Sequence, residues 1–223
     1  MRVALVADVH ANPGALDVLG DTVREADAVV FLGDAVGYFC GADEAVTAVR
    51  ALNPAVAVLG NHDDAALGGA PATANDAVRF GVDWAARTLT PANRGWLQGL
   101  PLVWSGRLGG RTWLVCHGSP WRPLEDYLYA DSARLDDLAA FDVDIVAFAQ
   151  THRPLVRAGR PLLVNPGSVG QSRHRPGVAC CALVDTASLA VEIVEREYDV
   201  RPVVTAARAN GAGDWIERHM VPS

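Results

Sequence analysis

The sequence contains no lysine; all 19 of its Lys and Arg residues are arginine. That absence excludes a phosphate-loop lysine, a Schiff-base lysine and a kinase-type lysine together. No apolar run approaches the roughly 20 residues that a membrane-spanning helix needs, so no membrane association is expected. The opening residues, MRVALVADVH, pass straight from an apolar run into polar side chains. They lack the charged start, long apolar stretch and small-residue cleavage site of a secretory signal, and a cytoplasmic location is expected. No CxxC pair occurs among the four cysteines, Cys40, Cys116, Cys180 and Cys181. Adjacent Cys180 and Cys181 would point to opposite faces of a strand, so free buried thiols are expected rather than a disulfide or a zinc cluster. Positive charge is scarce as well: the net charge of -7 argues against non-specific nucleic-acid binding and leaves a small phosphorylated ligand open.

What is present is a chain of 223 residues, half of them hydrophobic, enough for one domain over 1–223 with a sizeable core. Apolar runs at 3–7, 28–32, 55–59 and 144–148 read as buried strands. Asn12-Pro13 starts a helix to about Glu25, with Asn12 as N-cap, and a second helix is expected over 43–52. Strands alternating with helices imply parallel pairing. The segment of about 65–100 reads as helices covering one side of the sheet, its aromatics Phe80, Trp84 and Trp96 packing into the core. Beyond it, hairpins are expected around Gly109-Gly110, Gly159-Arg160-Pro161 and Asp185-Thr186, with a helical tail over about 201–219. Two sheets packed face to face with helices outside accommodate this order.

Polar clusters follow the apolar strands. They are Asp8-Val9-His10, Gly33-Asp34, Gly60-Asn61-His62-Asp63, His117, and Gln150-Thr151-His152. All offer hard oxygen or imidazole donors at strand ends, the usual place for a site in an α/β domain. Four of the six histidines fall in these clusters; only His174 and His219 lie elsewhere. Two closely spaced divalent cations need about this inventory, with one carboxylate able to bridge. Asp8 and His10, two apart, can share a face. His62 can donate a proton to a leaving alkoxide, with Asp63 fixing its tautomer. An ordinary helix cap by Asn61 or Asp63 needs the same exposed turn.

The order of these motifs resembles the calcineurin-like metallophosphoesterases over residues 1–194. Asp8-Val9-His10-Ala11-Asn12, Gly33-Asp34-Ala35-Val36-Gly37-Tyr38, His117-Gly118-Ser119-Pro120 and Asn165-Pro166-Gly167-Ser168-Val169-Gly170 look like the small bacterial and archaeal phosphodiesterase branch. The resemblance implies a four-layer α/β/β/α sandwich and two divalent metal ions, Mn²⁺ first, with Fe, Ni²⁺ or Zn²⁺ as alternatives. It implies that Asp8, His10 and His152 bind one ion and Asn61 and His117 the other, with Asp34 bridging. His62 maps to the proton donor, Asp63 to its partner, and Asn12 to the surroundings of the phosphate.

One position departs from the pattern: Gln150 stands where the family carries a histidine ligand of the second metal. An amide oxygen is a poorer donor than imidazole for a transition metal, so a weaker second site is expected. Among the nearby basic residues Arg122, Arg153, Arg173, His174 and Arg175, the sequence favours Arg153, beside His152, for phosphate binding. The expected function is hydrolysis of a small phosphodiester or phosphomonoester by attack of a metal-bound hydroxide. Its alternatives are a protein or dinucleoside-polyphosphate phosphatase, and a module that binds metal or senses nucleotides without turnover. The helical segment and the loop 121–131 are expected to carry the choice of substrate.

Overall fold

Ten strands form two mixed sheets of five in a computed structural model that describes residues 1–69 and 75–220. The stretch 70–74 of the expected helical segment lies outside the described residues. The first sheet has the order β10-β9-β1-β2-β3. Its strands are β1 (Arg2–Val6), β2 (Ala28–Phe31), β3 (Val56–Ala57), β9 (Val178–Asp185) and β10 (Val191–Glu197). The second has the order β4-β5-β6-β8-β7. It contains β4 (Val103–Leu108), β5 (Arg111–Cys116), β6 (Ile145–Ala147), β7 (Pro154–Arg157) and β8 (Leu162–Pro166). β1, β2 and β3 pair in parallel, as do β5, β6 and β8. The three expected hairpins are present as the antiparallel pairs β4–β5, β7–β8 and β9–β10.

The period of two along each strand explains why two sheets stack. Val3, Leu5 and Ala7 point into the layer between the sheets, where they meet Trp113, Val115, Ile145, Ala147, Leu162 and Val164. Ala4 and Val6 point the other way, into a larger core beneath the helices. Truncating a fully buried side chain such as Leu5 to alanine would cost about 2–5 kcal/mol. Helices α1 (Pro13–Asp17), α2 (Gly20–Arg24), α3 (Ala42–Ala51), α4 (Asn61–Ala66), α5 (Asp76–Thr88) and α6 (Pro91–Gln98) contribute to the outer layer of the first sheet. α8 (Arg201–Ala209) and α9 (Trp215–Met220) complete it. The short helix α7 (Arg134–Asp137), the loop before it and the 3-10 turn after it cover the second sheet, burying Leu128, Leu135 and Leu138 on Leu114, Val146 and Leu163. The result is the expected α/β/β/α order of layers.

Two local expectations differ. The helix expected from Asn12 to Glu25 is broken into α1 and α2, because Leu19 N–H donates to Leu16 in a tight i→i−3 turn and Gly20 follows. β3 keeps only two residues, since beyond Val58, whose N–H still donates to Phe31 of β2, the backbone turns to another partner: Leu59 N–H donates to the Pro101 carbonyl. Phe80, Trp84 and Trp96 pack against the helical core as expected. All four cysteines are free, with Cys181 turned into the helical core and Cys180 against Gly167. Among the described residues no helix is long and apolar enough to cross a membrane.

Candidate metal centre

The polar clusters converge where the parallel strands of both sheets end. Asp8 follows β1, Asp34 follows β2, Asn61 opens α4 after β3, His117 follows β5, and Gln150 and His152 follow β6. Each strand is held in register by its neighbours, so the first turn after it has a fixed origin. The loops are also tied to one another through backbone bonds: Asp8 N–H to Gly33, His10 N–H to Asp34, and Ala149 N–H to His117.

Five of these residues adopt left-handed backbone conformations: Asp8 (φ 55°), His10 (50°), Asp34 (59°), Gln150 (66°) and His152 (56°). A residue with a Cβ is rarely found there, and each such position costs on the order of 1–3 kcal/mol. Left-handed residues within a few positions of the strand ends turn the chain sharply enough to bring these side chains toward one point. Gly60 permits the close approach this demands, since a Cβ there would lie 2.0 Å from Asp34 Oδ1.

The histidines show what the point is suited to hold. His10 Nδ1 donates to the Val36 carbonyl (3.1 Å), His117 Nδ1 to Leu32 (2.7 Å) and His152 Nδ1 to Gln171 (2.6 Å). A carbonyl only accepts, so Nδ1 carries the hydrogen in each ring, and a neutral ring presents its lone pair at Nε2. Those Nε2 atoms face inward. His10 Nε2 lies 3.7 Å from both Asp8 Oδ1 and Asp34 Oδ2. His152 Nε2 lies 3.5 Å from Asp8 Oδ1, and His117 Nε2 lies 3.4 Å from Asp34 Oδ2 and 3.1 Å from Asn61 Oδ1. Three sets of ligand atoms fall within 4.8 Å of one another: Asp8–His10–His152, Asp8–Asp34–His117 and His10–Asp34–His62.

These residues fit divalent cations. Both carboxylate oxygens of Asp8 are buried with no hydrogen-bond partner, as is the Gln150 amide oxygen. Orphaned acceptors of this kind cost on the order of 1–3 kcal/mol each unless something positive meets them. Burial, aided by the Asp34 charge, pushes the Asp8 carboxyl up to about 8. Burial also opposes ionisation of Asp34, but the surrounding imidazoles, His117 foremost, outweigh it and hold that carboxyl below the usual range. At His117 burial is outweighed by Asp34 and Asp8, which lift the imidazole to about 9. Burial and the Arg173 charge bring His152 down to about 3, and burial also lowers His10 and His62.

His62 sits at the edge of this group, its Nε2 3.9 Å from Asp34 Oδ2. Its ring stacks on Tyr38, centroids 5.0 Å apart, and a Cβ on Gly37 (φ 103°) would strike its Nδ1 at 2.3 Å. The partnership expected between Asp63 and His62 is not formed: His62 Nδ1 has no hydrogen-bond partner. Asp63 instead accepts from the backbone amides of Asp34 (2.8 Å), Val36 (3.1 Å) and Gly60 (3.2 Å). Lying in the first turn of α4, it caps the free Gly60 N–H at the helix start and clamps the Asp34 loop to this helix.

Two expected phosphate-binding residues lie elsewhere. Asn12 is the N-cap of α1, accepting from Ala15 N–H, and its amide is spent on the Gly170 carbonyl and the Tyr198 hydroxyl. Arg153 is exposed in a neighbouring hollow with Leu128, Thr151 and His174. Arg175 pairs with Glu195, which also faces His174. The arginine that lines the cavity over Asn61 and His62 is Arg173, bonded to the Tyr38 hydroxyl at 2.9 Å. Gln150 turns its amide N–H to the Leu124 carbonyl, leaving the oxygen free. Sequence reasoning also missed Gln171, whose carbonyl and side-chain oxygens both meet His152 Nδ1. No local pattern marks such a residue, because it reaches the site from 19 positions along the chain.

Comparison with known proteins gives the family and the fold. Residues 1–188 match the family model of the calcineurin-like phosphoesterase superfamily domain. The chain is 29% identical to an uncharacterized protein of Methanocaldococcus jannaschii, over 96% of this chain and 95% of that one. The crystal structure of a metallophosphoesterase from Sphaerobacter thermophilus superposes with a TM-score of 0.84 at 29% identity, covering 99% of this chain and 98% of that one. A hypothetical protein of Pyrococcus horikoshii shares the fold, with a TM-score of 0.86 at 21% identity over 97% and 96% of the two chains.

Proposed function

We propose, for a chain that belongs to the calcineurin-like phosphoesterase superfamily, that this centre holds two divalent cations and hydrolyses a small phosphodiester or phosphomonoester. Asp8, His10 and His152 would hold one ion and Asn61 and His117 the other, with Asp34 shared between them. Gln150 offers its amide oxygen to the second. The mixture of carboxylate, amide and imidazole donors suits Mn²⁺. Bound cations would supply Lewis-acid charge and a water acidified enough to attack phosphorus.

The chain's own residues do the rest. The Nδ1–carbonyl bonds fix each imidazole in the ligating tautomer and prevent its rotation. Asp63, through the Asp34 amide, holds the shared carboxylate in place. His62, packed between Gly37 and Tyr38 at the base of the cavity, delivers a proton to the leaving oxygen. Arg173 supplies positive charge from the cavity wall.

The observation that carries this reading is the set of three buried imidazoles whose Nδ1 atoms are all engaged by backbone carbonyls while their Nε2 atoms face two carboxylates. The test is hydrolysis of bis(p-nitrophenyl) phosphate and of p-nitrophenyl phosphate by protein stripped with a chelator and then reloaded with Mn²⁺. Turnover that disappears on stripping and returns on loading is expected. Absence of turnover of either ester by fully loaded protein would overturn the reading.

A further inference from the structure

We infer that the substrate carries a planar aromatic group, as a nucleoside phosphate does, which lies on Tyr127 and Tyr129 while Arg173 takes the phosphate. The inference rests on the phosphoesterase reading for what lies beneath this surface. A cavity of about 340 Å³ stands over the metal centre, with Asn61 and His62 among its lining residues. That volume is at the lower end of the range for small-molecule sites and suits one compact ligand rather than a polymer.

Its walls differ in chemistry. Among the described residues Arg173 is the one arginine lining it. Among the described residues its guanidinium bonds only to the Tyr38 hydroxyl, whereas Arg175 nearby is neutralised by Glu195. A guanidinium with most of its donors uncommitted beside a phosphoryl site is suited to bidentate contact with phosphate oxygens. Tyr127 and Tyr129, alternate residues of the loop before α7, also line the cavity. Their rings are nearly parallel, 14° apart with centroids at 6.3 Å, and the two residues are 38% and 39% exposed. Phe80, Trp84 and Trp96 are packed against the helical core; this tyrosine pair is open to solvent at the mouth of a site. Two parallel exposed rings next to a cationic group match the arrangement by which proteins hold a nucleobase through its π-face and its phosphate through charge.

The experiment is equilibrium binding by calorimetry to Mn²⁺-loaded protein. The probes are two hydrolysis-resistant phosphonates: the 5′-methylenephosphonate analogue of adenosine monophosphate and the same analogue of ribose 5-phosphate, which lacks the base. The base-bearing probe should bind roughly ten- to a hundredfold more tightly. Y127A/Y129A should bring the two affinities together with little change for the baseless probe, and Y127F/Y129F should keep them apart. R173Q should weaken both probes alike and leave their ratio intact. Both tyrosines are surface residues, and unchanged thermal midpoints would show that the variants fold. Equal affinity of the two probes for the unaltered protein, a ratio indifferent to Y127A/Y129A, or unchanged binding in R173Q would overturn the inference. Because binding is read without turnover, a protein that shows the base preference but hydrolyses nothing would count against the phosphoesterase reading alone.

Discussion

His10 and His152 turn their Nε2 atoms toward each other at 2.9 Å, while the Nδ1 of each is engaged by a backbone carbonyl, of Val36 and Gln171. Two neutral imidazoles in that tautomer would bring lone pair against lone pair, an arrangement that a cation relieves. Metal should therefore stabilise the fold. At 100 to 1,000 times its dissociation constant, a ligand specific for the native state adds about 3–4 kcal/mol. For a protein of this size each kcal/mol moves the midpoint by about 2–4 °C. Thermal unfolding with chelator and with excess Mn²⁺ should differ by that order; identical midpoints would argue against a metal centre here.

Asp34 is the carboxylate most exposed to consequence. Its Oδ2 faces His10, His62 and His117, and its Oδ1 accepts from His62 N–H. Asp34→Ala should abolish turnover and lower metal content while circular dichroism stays native, because the change lies in a loop. Metal analysis of the purified variant is the check, and normal loading would remove Asp34 from the bridging role.

His62 belongs at the leaving-group side if it donates a proton. His62→Ala should keep its metals and lose about 10²- to 10⁴-fold in rate for esters with poor leaving groups. For nitrophenyl esters, whose leaving group needs no proton, the loss should shrink. The same loss across a series of leaving groups would speak against proton donation.

Gln150 should set the affinity of the second ion. Its oxygen is free and its N–H held by Leu124, so it can donate only through oxygen. Gln150→His should tighten the weaker of two binding steps in a Mn²⁺ titration and reduce the dependence of activity on added metal. Two equally tight steps in the natural protein, unaltered by the substitution, would show that this position does not decide second-site affinity.

Metal affinity should rise with pH. In the metal-free protein burial raises the Asp8 carboxyl, to about 8, and the neighbouring carboxylates raise the His117 imidazole, to about 9, so the pair retains a proton at neutral pH that a cation must displace. Raising the pH removes that proton in advance. Apparent affinity should climb by about tenfold per pH unit for each proton displaced, levelling above these values. Calorimetry at several pH values, and in buffers of different ionisation heat, reads both slope and proton release. A flat profile would show that the ion displaces no protons from Asp8 and His117.

The sequence by itself determined the layers and the ligand-bearing positions. Alternation along β1, β5 and β8 dictates two faces per strand, and both faces are apolar, so each sheet had to be covered twice. The clusters at Asp8, Asp34, Asn61, His117 and His152 were legible because a strand end is a local feature that puts a polar side chain at a known place. Tertiary structure alone decided which neighbours those side chains have. Asp63 sits beside His62 in sequence, yet the first turn of α4 aims it at the Asp34 loop, where three backbone amides capture it. Arg153 adjoins His152 but lies exposed in a separate hollow, while Arg173 comes to the cavity over Asn61 and His62. Tyr127 and Tyr129 form no local motif, and only the folding of their loop over the second sheet brings them to the same cavity. Side chains that work by direction and proximity depend on the path of the backbone between them, and that path is fixed by packing over the whole molecule.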